Sequence, residues 1–248
     1  MHLVRGRAAT VEADRAATAA MLDRAGETGV EAFRAWTPHR QVAFGRRDTH
    51  ADGYEAACRA ARERDYRVVE RSVGGRAVAY SGSTVAFAHA IPLADPRQGL
   101  TERYEGGVDG VIVALHDLDI DAGPGEPAAA FCPGEHSVQV DGRKIAGIAQ
   151  RIRSDAALVA GCVLVSERAD LVDVLTPVYA ALDVPFDPDS VGVVSDGGEP
   201  TSSAVCRALE HAFVGSADDS RVQPESVDGL VSRAAPTTTG DVDRDHEV

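Results

Sequence analysis

Hydrophobic residues recur at helical spacing in five stretches of the chain. In each stretch, apolar side chains fall three or four positions apart, which places them on one face of an α-helix. The pattern predicts helices at about 11–24, 53–64, 104–118, 169–181 and 204–213. Gly26 follows the first of these stretches and is expected to end that helix, because glycine readily adopts the left-handed conformation of a helix C-cap.

Short apolar or alternating segments between these helices predict β-strands. They lie at 31–36, 41–44, 67–71, 77–80, 84–91, 137–140, 143–153 and 158–165. Asp141 and Gly142 separate two of them and are typical of a two-residue hairpin turn. Hairpins and short strands flanked by helices predict an α+β fold with a mixed, largely antiparallel sheet.

The hydrophobic pattern fades near residue 214, which gives a prediction for the domain organisation. Residues 1–214 are expected to form one catalytic domain. The segment 215–248 is acidic and rich in Ser and Thr, and it has few large apolar side chains. We expect this tail to be disordered or loosely docked, because it has little surface to bury.

Composition narrows the classes of partner. The 248 residues include 39 acidic and 25 basic ones, a formal charge of −14. This balance argues against nucleic acid and anionic membranes, both of which attract basic surfaces. No apolar run reaches the length of a membrane span, and the N-terminus lacks the apolar core of a signal peptide, so we expect a cytoplasmic protein. Excess acid with little lysine is typical of proteins adapted to high salt.

One lysine, Lys144, remains among the 25 basic residues. A compact ammonium group and a planar guanidinium group are not equivalent in a binding site. Lys144 follows the predicted hairpin turn and lies near Gly147, where its ammonium group could face a carbonyl or phosphate oxygen. The sequence therefore singles out Lys144 as a candidate functional residue, and the less favoured alternative is a surface lysine retained by chance.

The four cysteines contain no CxxC pair, so no zinc site is predicted. Three of them lie in periodic segments and are expected to pack as small apolar residues. Cys132 instead lies in a loop, in the sequence FCPGEHS. Positive charge nearby, which Lys144 and His136 could supply, would make a loop cysteine reactive, but a structural cysteine fits the spacing equally well. Cys132 and His136 alone would make a poor metal site, because two ligands are too few.

The segment RSVGGRAVAY at 71–80 places Gly74 and Gly75 between two predicted strands. Glycines there serve either an ordinary tight turn or the close approach of a ligand to the backbone. The segment is neither a dinucleotide-binding fingerprint, which needs a following helix, nor a P-loop.

Three motifs taken in order resemble those of lipoate–protein ligases and octanoyl or lipoyl transferases. They are FRAWTPHRQVAFGRRD, RSVGGRAVAY and VDGRKIAGIAQR, and the resemblance runs from about Arg34 to Val165. The resemblance implies the biotin/lipoate protein ligase fold, and it gives Lys144 the role of contacting the acyl carbonyl group or the acyl adenylate. By the same resemblance, the residues that line the acyl group are Arg71, Gly74, Gly75, Arg76, Ala77, Gly147 and Ala149.

At three positions this chain departs from the pattern of the ATP-dependent ligases in this family. Arg76 replaces a third glycine, and Ser81 and Thr84 stand where ATP-dependent ligases carry an acidic residue and Asn. CPGEHS, in contrast, resembles the CPG segment of octanoyl-[glycine cleavage H protein] amidotransferases. In those enzymes the cysteine carries the acyl group, and the matching residue is Cys132. His136 lies where that segment has Tyr and becomes a candidate proton carrier.

Three functional hypotheses follow from the resemblance. The first is an acyltransferase that moves octanoyl or lipoyl groups through a Cys132 thioester and needs no bound cofactor. The second is a lipoate–protein ligase that uses ATP and Mg²⁺ and forms lipoyl-AMP at Lys144. The third is a catalytically silent protein that binds carrier domains. The implied partners are lipoyl-domain proteins, namely the glycine cleavage H protein and 2-oxoacid dehydrogenase E2.

Overall fold

A computed structural model of the chain describes residues 1–71, 75–195, 199–215 and 222–234. The strands are β1 (His2–Arg5), β2 (Ala32–Trp36), β3 (Gln41–Phe44), β4 (Arg67–Glu70), β5 (Val78–Tyr80), β6 (Val85–Pro92), β7 (Gly123–Pro124), β8 (Ser137–Val140), β9 (Arg143–Ile152), β10 (Ala156–Val163) and β11 (Gln223–Ser226). The helices are α1 (Val11–Thr28), α2 (Tyr54–Arg62), α3 (Leu100–His116), α4 (Arg168–Ala181), α5 (Ser202–Val214) and α6 (Val227–Ala234). None of the helices in these ranges combines the length and apolar character needed to cross a membrane.

Within the described ranges, eight strands form one large sheet in the order β11-β1-β2-β6-β10-β9-β8-β7. The pairs β11–β1 and β1–β2 are parallel. The remaining neighbours in this order, β2–β6, β6–β10, β10–β9, β9–β8 and β8–β7, are antiparallel. A small sheet of order β4-β3-β5 completes the domain. The expected α+β class with a mixed, largely antiparallel sheet is therefore confirmed.

Helices cover both faces of the large sheet. Its central strands carry apolar side chains on each face, and both sets have to be buried. Phe33 and Phe87 pack with α3 and α5, whereas Ala32 and Ala88 pack with α1 and α6. The small sheet packs with α2 and α4 in a separate apolar cluster. The candidate site lies where β5, β9 and β10 approach each other between the two sheets.

Helix α1 extends one turn beyond the end that Gly26 predicts. Thr10 caps its N-terminus by accepting a hydrogen bond from the Ala13 N–H, and Gly29 ends it in the left-handed conformation with φ 68°. Gly26 lies inside the helix, next to the exposed Asp155 side chain. The expected end of the helix at Gly26 is therefore wrong, because Gly29 adopts the left-handed C-cap conformation instead.

The packed domain also extends past residue 214, into the segment that the sequence assigns to a disordered tail. Strand β11 pairs with β1 over its full length, and Val227 and Leu230 of α6 are buried against α1. Among its described residues, the segment supplies two large buried side chains and one edge strand, which give it little hydrophobic signal in sequence. Residues 235–248 lie outside the described part of the chain.

Removing residues 216–248 is expected to lower the melting temperature. The deletion exposes the edge of β1 and the apolar surface under Val227 and Leu230. At about 1.5–3 kcal/mol for each buried aliphatic side chain, the free energy of unfolding should fall by several kcal/mol. A chain that ends at Ala234 keeps both elements and is the matched control. Equal melting temperatures for the two truncated proteins would contradict this expectation.

Candidate active site

The hairpin of β8 and β9 positions Lys144 beside the CPG loop. Asp141 and Gly142 form its turn with φ values of 50° and 74°, as the Asp-Gly signal predicts. Lys144 is the second residue of β9, and its backbone oxygen accepts a hydrogen bond of 2.9 Å from the Gly192 N–H. Local turn chemistry thus fixes the register that directs Lys144 toward residue 132.

The ammonium group of Lys144 is buried and held on two sides. Only 1% of the residue is exposed. Its Nζ donates to Glu126 Oε2 at 2.9 Å and to the backbone oxygen of Cys132 at 2.9 Å. Glu126, with 23% of its side chain exposed, balances the buried charge. The single lysine of the chain is therefore a buried residue whose ammonium group is held in place by hydrogen bonds, and not a surface lysine.

Cys132 has an unusual backbone conformation for a residue with a Cβ atom. Its φ is 41°, in the left-handed region. Side chains hold both of its backbone polar groups, since the N–H donates to Tyr179 Oη at 2.5 Å and the carbonyl oxygen accepts from Lys144. Strained residues of this kind concentrate at functional sites, which makes Cys132 a candidate for chemistry.

The sulfur of Cys132 faces a positively charged pocket. Sγ accepts hydrogen bonds from Arg71 Nη2 at 3.2 Å and from the Arg76 N–H at 3.4 Å. Gly75 has φ 92°, and a Cβ atom there would lie 2.8 Å from Sγ and 2.9 Å from Arg71 Nη2. Glycine is thus required at position 75 both for its backbone conformation and for the contact between Arg71 and the sulfur.

Arg71 is suited to stabilise a sulfur anion. Its Nη2 also donates to the backbone oxygen of Arg76 at 2.6 Å, which fixes the guanidinium group beside Sγ. Burial opposes its charge, but Cys132 and Tyr80 more than offset that effect and raise the pKa of Arg71 above its ordinary value. A guanidinium group held beside the sulfur offers a charge-assisted hydrogen bond to negative charge that develops there.

A cavity of about 230 Å³ extends from Cys132 and Lys144 between the two sheets. Its wall includes four more residues that the sequence singled out, namely Arg71, His136, Gly147 and Ala149. Strands β5 and β6 contribute mostly small or apolar side chains to the wall, namely Val78, Tyr80, Ala86, Phe87 and Ala88. The arrangement suits an aliphatic chain whose reactive end lies at Cys132.

Arg76 and Ala77, further along the RSVGGRAVAY segment, lie near the thiol but do not line the cavity. Arg76 offers its backbone to the site, whereas its side chain forms an ion pair of 3.1 Å with the buried Asp48. Ala77 is buried, and its carbonyl oxygen accepts a hydrogen bond from Tyr179 Oη. Gly74, which the sequence also proposed as substrate-binding, lies outside the described residues.

His136 lies on the cavity wall, with its ring stacked on Tyr104 of α3. The ring centroids are 3.9 Å apart and the planes differ by 12°. Its backbone oxygen accepts from the Ile148 N–H at 3.0 Å, which ties the CPG loop to β9. His136 therefore has a fixed ring near the cavity, which is compatible with carrying a proton.

A second thiol, that of Cys162, lines the same cavity. It is buried on β10, and burial together with the nearby Cys132 raises its pKa to about 11. Cys162 is therefore a neutral thiol at neutral pH. Of the two cavity thiols, Cys132 alone contacts a guanidinium group in the described structure.

Sequence reasoning missed Glu126 and Tyr179, which hold Lys144 and Cys132. Glu126 follows a Gly-Pro-Gly sequence that matches no functional motif and lies 18 positions before the lysine that it contacts. Tyr179 lies in an ordinary amphipathic helix and no motif marks it. Its position near residue 132 results from tertiary packing alone.

The positions that distinguish ATP-dependent ligases form contacts of their own. The Ser81 N–H donates to Thr84 Oγ1 at 3.1 Å, and the two hydroxyl oxygens lie 3.2 Å apart. Their polar atoms thus bond to one another, and the Arg76 side chain is directed at Asp48. In the described ranges, no group of three or more His, Cys, Asp or Glu side chains is arranged to hold a metal ion.

The chain is similar to known proteins by family model, by sequence and by structure. The model of the lipoyl protein ligase A/B catalytic domain matches residues 13–185. Octanoyl-[GcvH]:protein N-octanoyltransferase of Oceanobacillus iheyensis is 28% identical over 125 residues, which are 50% of this chain and 44% of that protein. The protein of the same name from Kyrpidia tusciae is 32% identical over 150 residues, 60% of this chain and 51% of that protein.

A crystal structure of lipoate-protein ligase A bound with ATP has a TM-score of 0.74 and 19% identity, and the match covers 94% of this chain and 92% of that one. This likeness confirms the fold that the motifs imply. The chain spans about half the length of the curated relatives it matches. Since the family model covers most of the domain, the chain belongs to the lipoyl protein ligase A/B catalytic domain family.

Proposed function

We propose that this protein is an acyltransferase that moves an octanoyl or lipoyl group to a lysine of a lipoyl-domain protein through a thioester on Cys132. The observation that carries the proposal is the position of the Cys132 sulfur, at the head of an apolar cavity and 3.2 Å from Arg71 Nη2. The names of the two octanoyltransferase relatives support transfer of an octanoyl group to a protein, and they specify octanoyl-[GcvH] as the donor.

The first step is formation of the thioester. The Cys132 thiolate attacks the carbonyl carbon of an acyl thioester donor, and the carbonyl oxygen becomes an oxyanion. Lys144, whose Nζ lies 2.9 Å from the Cys132 backbone oxygen, and the Arg76 N–H stabilise this negative charge. The donor thiolate then leaves and takes up a proton, which leaves the acyl group on Sγ.

The second step transfers the acyl group to the acceptor. The neutral amine of the acceptor lysine attacks the thioester carbonyl, the same donors stabilise the second oxyanion, and the Cys132 thiolate leaves. An amide forms and the nitrogen loses a proton, for which His136 on the cavity wall is our candidate carrier. Arg71 stabilises the departing thiolate as it did the attacking one.

The acceptors that fit this proposal are the glycine cleavage H protein and 2-oxoacid dehydrogenase E2, as the family resemblance implies. Both the relatives' names and the apolar cavity favour an aliphatic chain such as octanoyl. Arg71, Gly147 and Ala149, which line the cavity, then contact the head and the first carbons of that chain, and the family resemblance adds Gly74, Gly75, Arg76 and Ala77 to this proposal. We further propose that the enzyme acts in the cytoplasm.

Incubation with an octanoyl-loaded carrier protein, without ATP, should yield a protein whose intact mass has increased by one octanoyl group. Peptide mapping should place the group on Cys132, and addition of a lipoyl-domain protein should discharge it. Octanoate with ATP and Mg²⁺ is the parallel arm. Transfer in that arm alone, with no adduct on Cys132, would replace our proposal with the ligase hypothesis. Octanoyl-[GcvH], the donor that the relatives' names specify, is the third arm, and transfer in none of the three arms would favour a silent carrier-binding protein.

A further inference from the structure

Tyr179 lies behind the candidate nucleophile and does not line the cavity. It belongs to the last part of α4, and none of its surface is exposed. Its ring packs against Phe186, with centroids 4.9 Å apart, inside the apolar cluster between α4 and the small sheet. The ring therefore has a fixed place, and its hydroxyl group is the one polar atom of the side chain.

That hydroxyl group joins two chain segments that meet at the thiol. It accepts a hydrogen bond of 2.5 Å from the Cys132 N–H and donates one of 2.9 Å to the Ala77 carbonyl oxygen. Ala77 directly follows Arg76, whose N–H and carbonyl oxygen contact Cys132 Sγ and Arg71. Burial raises the pKa of Tyr179 above its usual range, so the hydroxyl group keeps the proton that it donates.

The strained backbone of Cys132 explains why such a connection is needed. Its left-handed conformation, at φ 41°, is unfavourable for a residue with a Cβ atom and persists only where surrounding contacts enforce it. Lys144 holds the carbonyl side of the residue and Tyr179 holds the amide side. Without the phenol hydroxyl, one of these two restraints is lost.

We propose that Tyr179 is a positioning residue for acyl transfer, because its hydroxyl group fixes the Cys132 backbone to Ala77 and so holds the thiol against Arg71. The inference rests on the proposed function for the identity of the reaction. It also restricts the oxyanion site. Since the Cys132 N–H is bonded to Tyr179, that amide does not serve the developing oxyanion, which must face Lys144 and the Arg76 N–H.

Tyr179→Phe removes the hydroxyl group and keeps the ring that packs against Phe186. We expect kcat for octanoyl transfer to fall on the order of 10²-fold, because a small displacement of a reacting group lowers the rate by about this factor. KM for the octanoyl donor should change little. Amide hydrogen exchange at Cys132 should also become faster, because its N–H loses a buried acceptor. If this variant does not fold, Tyr179→Met lacks the hydroxyl group and fills the site more flexibly.

Tyr66→Phe is the matched control. Tyr66 is also buried, and its hydroxyl group donates to Asp170 Oδ2 in the first turn of α4 at 2.5 Å, but it does not contact the CPG loop. This variant should lose stability and retain kcat and the slow exchange at Cys132. Equal losses of kcat in the two variants, or an unchanged kcat in Tyr179→Phe, would overturn the inference. A different pair of results would overturn the proposed function and not the positioning role. In that case the wild-type protein forms no acyl adduct, while Tyr179→Phe still shows faster amide exchange at Cys132.

Discussion

Replacement of Cys132 by Ser is expected to abolish octanoyl transfer, with a loss of at least about 10³-fold. A serine hydroxyl group at this position would face Arg71 and the Arg76 N–H. Both of these groups donate hydrogen bonds, and neither can remove the hydroxyl proton. The variant therefore keeps the cavity and lacks the nucleophile. Transfer from the octanoyl carrier protein and the intact mass after incubation should be measured on one preparation.

Cys162→Ala is the matched control for this substitution. Cys162 lines the same cavity, but burial raises the pKa of its thiol to about 11, so it is not a nucleophile at neutral pH. Its removal should cost some stability and leave transfer nearly intact. Full transfer without ATP by Cys132→Ser would eliminate the covalent route. Activity of Cys132→Ser only when octanoate, ATP and Mg²⁺ are supplied would identify a ligase.

Replacement of Lys144 by Arg should reduce transfer by at least about 10²-fold although the positive charge remains. The ammonium group fits between Glu126 and the Cys132 carbonyl oxygen, and only 1% of the residue is exposed. A Cβ atom on Gly147 would already lie 3.4 Å from Lys144 Cε. The wider guanidinium group therefore has to displace its surroundings, at a cost of about 1–3 kcal/mol in stability.

Arg143→Lys reverses the same exchange at the preceding, exposed position of β9. It should leave both transfer and melting temperature close to those of the wild type. The comparison separates the loss of a compact charge at Lys144 from a general effect of changing basic residues on the hairpin. Near wild-type turnover in Lys144→Arg would remove Lys144 from the mechanism.

Local sequence patterns were sufficient for much of the fold. The Asp141–Gly142 signal predicts the hairpin that the structure contains, because a two-residue turn with two left-handed residues depends on little beyond its own chain. The helical periodicities of α2 to α5 predict helices for the same reason. Gly26 misled the prediction of the end of α1, since a single glycine inside a helix does not stop it and the left-handed C-cap is Gly29.

The composition of residues 223–234 hid their place in the domain. An edge strand and a short helix with two buried apolar residues have little hydrophobic signal of their own. Their partners, β1 and α1, lie some two hundred positions earlier in the chain. Pairing at that separation depends on the completed sheet, which no local pattern reports.

The sequence by itself determined the family, the fold class and the two residues, Cys132 and Lys144, on which the proposed chemistry depends. Tertiary structure alone decided their surroundings: Arg71 against the sulfur, Glu126 against the ammonium group and Tyr179 under the nucleophile. It also turned the Arg76 side chain away from the thiol and onto Asp48. The physical reason is that a motif specifies residue types along one segment, whereas burial, hydrogen bonding and charge balance arise between segments distant in sequence.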